Sequence, residues 1–145
     1  MQVVQVSFDK VKEELEELGI QCLVTKRSDN YLYNVRLVDW EKILPHLSVK
    51  GGGYAFLPET PDCDDFSKMS SAKCAFDFHL HSLEAWGNAP LSSDPNGAKG
   101  YHAYNMVRVD KKEYMIYEPN VNLDAHGKLY PLINNAGYVT DSWRV

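Results

Sequence analysis

The order of one cysteine, one histidine and one carboxylate along the chain constrains the fold more than any other feature. Cys63 follows Asp62 at the start of a helical segment, His102 opens an alternating strand, and Glu118 closes the next strand. A thiol at a helix N-terminus, followed by an imidazole and a carboxylate on neighbouring strands, is the order that a thiol nucleophile site requires. We therefore expect a helix end to pack against two antiparallel strands.

Length and composition indicate a folded globule. The chain has 145 residues, of which 44% are hydrophobic and 12% aromatic, so it can bury a core and does not have the composition of a disordered segment. We predict one domain over 1–145. Its parts are a scaffold region (1–50), a catalytic core (54–120) and a C-terminal sheet region (121–145).

Charge and cysteine content exclude several classes of partner. A net charge of −5 and scattered lysines give no electrostatic reason to expect nucleic acid. The apolar runs are too short for a membrane span, and the N-terminus lacks the features of a secretion signal. Three cysteines at irregular spacing favour a reducing compartment over a disulfide framework. The expected location is the cytoplasm, and the sequence leaves the oligomeric state open.

Periodicity and turn residues predict the remaining elements. The first third should contain a strand over 3–6, a helix capped by Ser7 and stopped at Gly19, two strands joined by a turn over 27–30, and a short helix capped by Asp39. The last third should contain a hairpin, over 102–109 and 113–118, and weaker strands over 128–133 and 138–139. The region over 87–100 is expected to be a surface loop. The fold class is α+β.

The longest helix is expected to begin at Asp62, which serves as N-cap. At 100° per residue, its apolar residues fall on one stripe that we predict to be the core face. These residues are Phe66, Met69, Ala72, Phe76, Leu80 and Leu83. The following histidines, His79 and His81, would point in divergent directions on such a helix, so a metal pair is not expected there.

Cys63 is the preferred nucleophile because the first turn of a helix lowers the pKa of a thiol. Asp62, Asp64 and Asp65 oppose this effect if their carboxylates point at the sulfur. A cysteine that merely lies near a helix cap is the alternative. Cys74 would lie in the middle of the same helix and act as a small buried hydrophobe, as would Cys22 in its apolar strand.

His102 needs a partner that fixes its tautomer, and both Glu118 and Asn120 occur in the required order. A two-residue turn in the hairpin would set Glu118 opposite Asn105, on the face away from His102. A three-residue loop would instead set Tyr104 opposite Glu118 and His102 opposite Asn120. A functional site requires the second register.

Two further motifs admit a ligand-binding interpretation. The sequence Gly51-Gly52-Gly53 lacks the residues that follow a phosphate-binding loop, so a flexible loop is favoured. Four acidic residues offer oxygen ligands for calcium, but their spacing matches no EF-hand loop. These are Glu59, Asp62, Asp64 and Asp65. Helix capping explains them better, and no cofactor is expected.

The stretch Asp62-Cys63-Asp64-Asp65-Phe66 resembles the nucleophile motif of the bacterial transglutaminase-like cysteine proteinases, a papain-like superfamily. His102-Ala103 on a strand and Tyr117-Glu118-Pro119-Asn120 after a polar turn are similar to the histidine and acid strands of that superfamily. The spacing is also similar to the papain-like C-terminal domain of some fungal agglutinins. The resemblance covers roughly 54–120.

This resemblance implies a central helix, with the nucleophile at its N-terminus, packed on a mostly antiparallel sheet. It implies Cys63 as nucleophile, His102 as general base and Glu118 as the residue that orients the histidine. Asn120 is the alternative to Glu118 in that role. The implied substrate is a peptide or protein, attacked at a peptide or isopeptide amide. Calcium dependence is a weaker implication. An oxyanion-hole side chain is also expected, with Gln21, Asn34 and Tyr54 as candidates.

A non-catalytic interaction or calcium-binding module is the alternative function, using exposed aromatic residues such as Trp86, Tyr101 and Trp143.

Overall fold

The computed structural model describes residues 1–24, 29–50, 63–90, 99–121, 123, 125–133, 135 and 137–145. Within these residues the chain is α+β, with three helices and a mostly antiparallel sheet. The helices are α1 (Phe8–Glu17), α2 (Leu37–Leu47) and α3 (Cys63–Phe78). The strands are β1 (Val4–Ser7), β2 (Gln21–Cys22), β3 (Tyr31–Asn34), β4 (Leu83–Pro90), β5 (Lys99–Val109), β6 (Glu113–Tyr117), β7 (Tyr130–Pro131) and β8 (Val139–Arg144).

Six strands form the main sheet in the order β2-β8-β4-β5-β6-β7, and β1 pairs with β3 in a separate two-stranded sheet. Each pair in the main sheet is antiparallel except β2 with β8. The two strands that the sequence predicts on either side of the turn over 27–30 belong to different sheets, β2 to the main sheet and β3 to the smaller one. β2 is instead extended along β8 by the bond from the Leu23 N–H to the Trp143 carbonyl (2.9 Å).

Apolar side chains cover both faces of the main sheet. On one face, α1 packs Val11 and Leu15 against Met106 and Trp143. On the other face, α2 contributes Trp40 and Leu47 to a cluster that contains Cys74 of α3 and Val107 of β5. Strand β5 therefore lies in the centre of the molecule, with side chains alternating between the two clusters.

The predicted ends of α1 are confirmed. Ser7 adopts an extended backbone and its hydroxyl accepts a hydrogen bond from the Lys10 N–H (3.2 Å). Gly19 has a φ of +78°, a conformation that favours glycine, and its N–H bonds to the Glu16 carbonyl. α2 differs slightly from its prediction, because it begins before Asp39, which lies in its first turn.

The predicted core face of α3 is wrong. Met69 is 53% exposed and Phe76 is 83% exposed, whereas the buried residues are Phe66, Ser67, Ser70 and Cys74. The helix also ends at Phe78, because His79 takes a positive φ of 55°. Leu80 and Leu83 are buried beyond the helix, and the predicted N-cap Asp62 lies outside the described residues.

Polar side chains replace the missing apolar contacts beneath α3. The Ser67 hydroxyl donates to the Tyr104 carbonyl (2.9 Å), and the Ser70 hydroxyl bonds to the Tyr117 hydroxyl (2.8 Å). The side-chain amide of Asn105 donates to the Ser67 carbonyl (3.1 Å) and to the Ser71 hydroxyl (3.0 Å). Directional bonds of this kind fix the position of a helix along a strand, which apolar contacts alone do less sharply.

The hairpin of β5 and β6 has the register that a functional site requires. Val109 pairs with Glu113 and Asn105 pairs with Tyr117, so the loop over 110–112 contains three residues. Lys112 in this loop has a φ of 60°, which closes the turn. Continued by one residue, this register sets Glu118 opposite Tyr104.

The predicted surface loop over 87–100 is largely wrong in its limits. Residues 87–90 belong to β4 and residues 99–100 to β5, while 91–98 lie outside the described residues. These strand ends contain Gly, Asn and Pro, which are typical turn residues and therefore indicated a loop. The tail contains β8, which lies inside the sheet between β2 and β4. Trp143 on β8 is fully buried, so it is not the exposed interaction residue that we expected.

None of the helices in the described ranges is both long enough and apolar enough to cross a membrane.

A buried ion pair joins α1 to the hairpin. Arg108 donates from Nε and Nη2 to the two carboxylate oxygens of Glu14 (2.9 and 3.0 Å), and the Tyr114 hydroxyl donates to the same carboxylate (2.6 Å). Burial opposes ionisation of Glu14, but the hydrogen bonds from Arg108 and Tyr114 outweigh it and hold the pKa of its carboxyl below the usual value.

We expect Glu14→Gln to lower the free energy of unfolding at pH 7 by about 3 kcal/mol, because Arg108 keeps a buried charge without its partner. The folded pKa of Glu14 is depressed, so the contribution is present above pH 4.5 and is lost as the pH falls below it. Urea unfolding between pH 3 and 7 measures this. The exposed Glu13→Gln serves as the control, and an equal effect of both variants would contradict the prediction.

We expect Asn105→Ala to destabilise the protein by about 2–3 kcal/mol, because it leaves buried acceptors of α3 without a donor. Asn88→Ala changes an exposed asparagine of the neighbouring strand and should cost less than about 0.5 kcal/mol. Thermal and urea unfolding of the two variants compares them directly. Equal stability would mean that the polar contacts do not hold α3.

Candidate active site

The N-terminus of α3 meets β5 beyond the point where the neighbouring strand β6 ends. β4 pairs with β5 as far as Lys99, whereas β6 pairs with β5 only as far as Asn105. Cys63, the first residue of α3, lies at this edge, and its sulfur accepts a hydrogen bond from the Ala103 N–H (3.4 Å). The end of β6 therefore provides the space in which the thiol approaches β5.

His102 and Glu118 form a short, buried contact beside the thiol. The distance from His102 Nε2 to Glu118 Oε2 is 2.6 Å, and their side chains are 6% and 1% exposed. The imidazole also forms a side-chain hydrogen bond with Cys63. The structure therefore brings together the three residues that the sequence singled out, with the Glu118 carboxylate on the histidine ring.

The surroundings of His102 favour its charged form. Burial lowers the pKa of the imidazole, but hydrogen bonds to Cys63 and Glu118 and the charge of Glu118 outweigh it and raise the pKa to about 9. Below that pH the imidazolium form dominates. An imidazolium next to a cysteine favours the thiolate, which is the reactive form of the sulfur.

A backbone amide holds the second oxygen of Glu118. The Asn120 N–H donates to Glu118 Oε1 (3.1 Å), so both carboxylate oxygens have a partner. The same segment is joined to the end of α2, because the Val49 N–H donates to the Pro119 carbonyl (2.7 Å). Asn120 thus contributes to the orientation of the carboxylate through its main chain.

Tyrosines cover the side of the pair that faces the α1 cluster. The Tyr104 ring lies 6.1 Å from the His102 ring, and Tyr138 contacts Tyr104 edge-on at 5.1 Å. The Tyr104 hydroxyl bonds to the Thr140 hydroxyl (2.6 Å). Burial raises the pKa of Tyr104 to about 12, so the phenol stays neutral beside the Glu118 carboxylate. Such cover keeps water from weakening the charged pair.

The other two cysteines lie in the places that the sequence predicted. Cys74 is fully buried, and burial raises the pKa of its thiol to about 12. Cys22 is partly buried and packs against the α1 cluster. Neither has the surroundings of an activated thiol.

Two of the three oxyanion-hole candidates lie far from Cys63. Gln21 is separated from Ala103 by three strand spacings, through Ser142 and Trp86, which is about 14 Å. Asn34 lines a small cavity with Arg108, five residues along β5 from Ala103, which is about 17 Å. Tyr54 lies outside the described residues, as does Gly51-Gly52-Gly53.

The histidines after α3 and the two aspartates in its first turn, Asp64 and Asp65, form no metal site in the described ranges. His79 follows the helix at a positive φ, while His81 accepts a bond from the Tyr33 N–H at Nδ1 (3.0 Å) and lies near Asp29. No group of three or more metal-binding side chains occurs in the part of the chain that the structure describes. Glu59 and Asp62 lie outside that part, so the calcium interpretation stays a prediction.

Sequence reasoning missed the main-chain contributions to this site. Both the Ala103 N–H at the sulfur and the Asn120 N–H at Glu118 are backbone groups, so no residue type marks them. Gly87, directly opposite His102, was also missed. A Cβ at Gly87 would lie 2.0 Å from the Val139 carbonyl oxygen, so β8 can approach only a glycine there. An isolated glycine inside a strand pattern is the signal that could have found it.

Comparison with known proteins gives one structural likeness. No family model matches the chain, and no curated protein matches it. The chain is similar to a crystal structure of a lectin from Polyporus squamosus, described as bound to a human-type influenza-binding epitope, with a TM-score of 0.62 and 16% identity. The match covers 97% of this chain and 49% of that one, so this chain spans about half the length of the lectin. At this identity the likeness shows a shared fold.

We expect Glu118→Gln to lower the pKa of His102 by about 1–3 pH units, because it removes the opposite charge. Asn120→Ala keeps the N–H that contacts Glu118 and should leave that pKa near 9. A titration of the His102 ring protons by NMR measures both. A large shift in Asn120→Ala and none in Glu118→Gln would mean that Asn120 is the partner of His102.

Proposed function

We propose that this chain is a cysteine hydrolase or acyltransferase of the papain-like, transglutaminase-like type, acting on a peptide or isopeptide amide. The observation that carries the proposal is the 2.6 Å contact between His102 and Glu118 beside a cysteine that begins a helix. The burial of the pair at the open edge of β5, next to a half-buried thiol, supports a site rather than a purely structural ion pair.

The proposed reaction uses the three side chains in the order of their contacts. With the proton on His102, the Cys63 thiolate attacks the carbonyl carbon, and the C=O electrons move onto the oxygen. Backbone N–H groups in the first turn of α3 are the proposed donors to that oxygen. The imidazolium then protonates the departing amine, which leaves a thioester on Cys63. Glu118 holds the ring and stabilises its charge throughout.

The second half of the cycle decides between two outcomes. His102, now neutral, takes a proton from water in a hydrolase or from an amine in a transglutaminase as that oxygen or nitrogen bonds to the thioester carbon. The C–S bond then breaks, which returns the Cys63 thiolate beside the His102 imidazolium. A side-chain donor to the oxyanion would add on the order of 10² to 10³ to the rate of amide cleavage. Gln21 and Asn34 lie far from Cys63, and the third candidate, Tyr54, lies outside the described residues.

Two comparisons are consistent with this proposal without testing it. The motifs around Cys63, His102 and Glu118 resemble the transglutaminase-like proteinases and the papain-like domain of fungal agglutinins. The structural neighbour is a lectin, and agglutinins are lectins, so both likenesses concern the same kind of protein. A non-catalytic interaction module on the same scaffold remains the alternative that the experiments below distinguish. The cytoplasmic location stays a prediction.

We expect iodoacetamide to modify Cys63 rapidly at pH 6, where a free thiol with a pKa near 8.5 is less than about 1% ionised. His102→Ala should move the reaction of Cys63 toward the pH range of a free thiol, because the imidazolium is lost. Mass spectrometry of tryptic peptides follows each cysteine, and the buried Cys74 is the internal control. Equal rates for Cys63 and a free thiol at pH 6 would contradict the proposal.

Amide cleavage or transfer should also have an alkaline limb. Because His102 must be protonated to release the amine and its pKa is raised to about 9, kcat/KM should fall as the pH rises through about 9. Cys63→Ala supplies the background rate. A wild-type rate equal to that of Cys63→Ala on every amide tested would leave the interaction module as the better account.

A further inference from the structure

Beyond the first residue of α3, no helix or strand of the described residues covers the sheet face on which α3 packs. Under the helix, Asn105 is fully buried, whereas Tyr101, four residues earlier on the same face, is 64% exposed. Its cross-strand neighbour Asn88 is exposed, and Val139, which pairs with Asn88, is 65% exposed. We call these residues, together with Asp141, the open face.

The open face adjoins the sulfur of Cys63. Ala103, whose N–H contacts that sulfur, shares this face with Tyr101, two residues away on β5. Trp86 pairs directly with Ala103, and the Arg144 guanidinium covers its ring at 5.0 Å. A chain that presents its carbonyl carbon to Cys63 and continues across the sheet toward β8 would lie on this surface.

A β-bulge directs one carboxylate onto the open face. Trp86 pairs with Ser142 and Gly87 with Thr140, so Asp141 is the extra residue of β8. The absence of a Cβ at Gly87 lets the bulged strand approach there. Bulges of this kind re-aim a side chain and often lie beside active sites.

Two hydroxyl groups hold the Asp141 carboxylate in place. The Tyr101 hydroxyl (3.0 Å) and the Ser142 hydroxyl (2.7 Å) both donate to its Oδ1. Neither bond uses Oδ2, and no cationic side chain forms an ion pair with Asp141 among the described residues. The nearby cation Arg144 is committed to the buried Glu84, to which it donates twice (3.1 and 2.8 Å). The open face therefore carries one oriented negative charge beside an exposed aromatic ring.

We propose that the open face is a substrate subsite in which Asp141 and Tyr101 bind a lysine or arginine side chain of the peptide near the bond that Cys63 attacks. The carboxylate attracts the cation, and the tyrosine ring covers its aliphatic stem. Asp141 lies about two strand spacings, or 10 Å, from Ala103. That distance corresponds to about three extended residues, so the basic residue lies within about three positions of the scissile bond. This inference rests on the proposed function.

The test uses a set of peptides that carry Lys, Glu or Gln at one position at a time on each side of a scissile amide. For the wild-type protein we expect kcat/KM to favour Lys over Glu by about fivefold at one position, the value of an exposed ion pair. Asp141→Lys should reverse that preference, so that the ratio of kcat/KM for the Lys peptide to kcat/KM for the Glu peptide falls below one. Asp110→Lys makes the same charge change on an exposed residue at the far end of β5 and should retain the wild-type preference.

Binding separates this inference from the proposed reaction. Fluorescence anisotropy with Cys63→Ala, alone and combined with Asp141→Lys, measures the affinity for the same peptides without turnover. A preference for Lys that reverses with Asp141→Lys supports the subsite even if no peptide is cleaved, and then only the proposed reaction fails. Cleavage or binding without any Lys preference overturns the subsite, as does an equal change in Asp110→Lys, which would indicate a general charge effect. Absence of both cleavage and binding also overturns it.

Discussion

The hydrogen bonds between α3 and β5 are the interaction on which the rest of the structure depends. The Ser67 hydroxyl bonds to the main chain of β5, and Asn105 reaches back to the main chain and side chains of α3. These bonds are buried, so a shift of the helix by one residue would leave several polar groups unsatisfied at a cost of about 1–3 kcal/mol each. They thereby fix where Cys63, at the end of the same helix, meets Ala103.

The candidate site adds charge to this fixed geometry. Burial alone would make the His102 imidazole neutral, but contacts with Glu118 and Cys63 reverse the effect and raise the pKa to about 9. The ion pair therefore stabilises the folded state fully below pH 6.5, and the contribution is lost as the pH rises through about 9. The Asn120 N–H holds the Glu118 carboxylate in its orientation, and the tyrosine cover shields the pair from solvent. The same arrangement serves stability and the proposed chemistry.

The sequence predicted which side chains meet at the candidate site better than it predicted the packing around them. The order of Cys63, His102 and Glu118, the start of α3 and the three-residue loop that a site required all agree with the structure. The face of α3 was wrong because periodicity assigns apolar residues to the core, whereas Met69 and Phe76 are exposed and serines pack inside. A serine has no hydrophobic signal, and its buried role depends on partners that lie far away in the sequence.

The sequence by itself determined the local features: the cap and stop of α1, the alternation of β5, and the chemical types available at a nucleophile, base and acid. Local propensity and periodicity encode these features within a few residues. Only the tertiary structure decided that β2 and β3 separate into two sheets, that β8 inserts between β2 and β4, and that a bulge turns Asp141 toward Tyr101. Those outcomes depend on pairing between distant strands and on main-chain hydrogen bonds, which have the same donors and acceptors at almost every residue and leave no mark in the sequence.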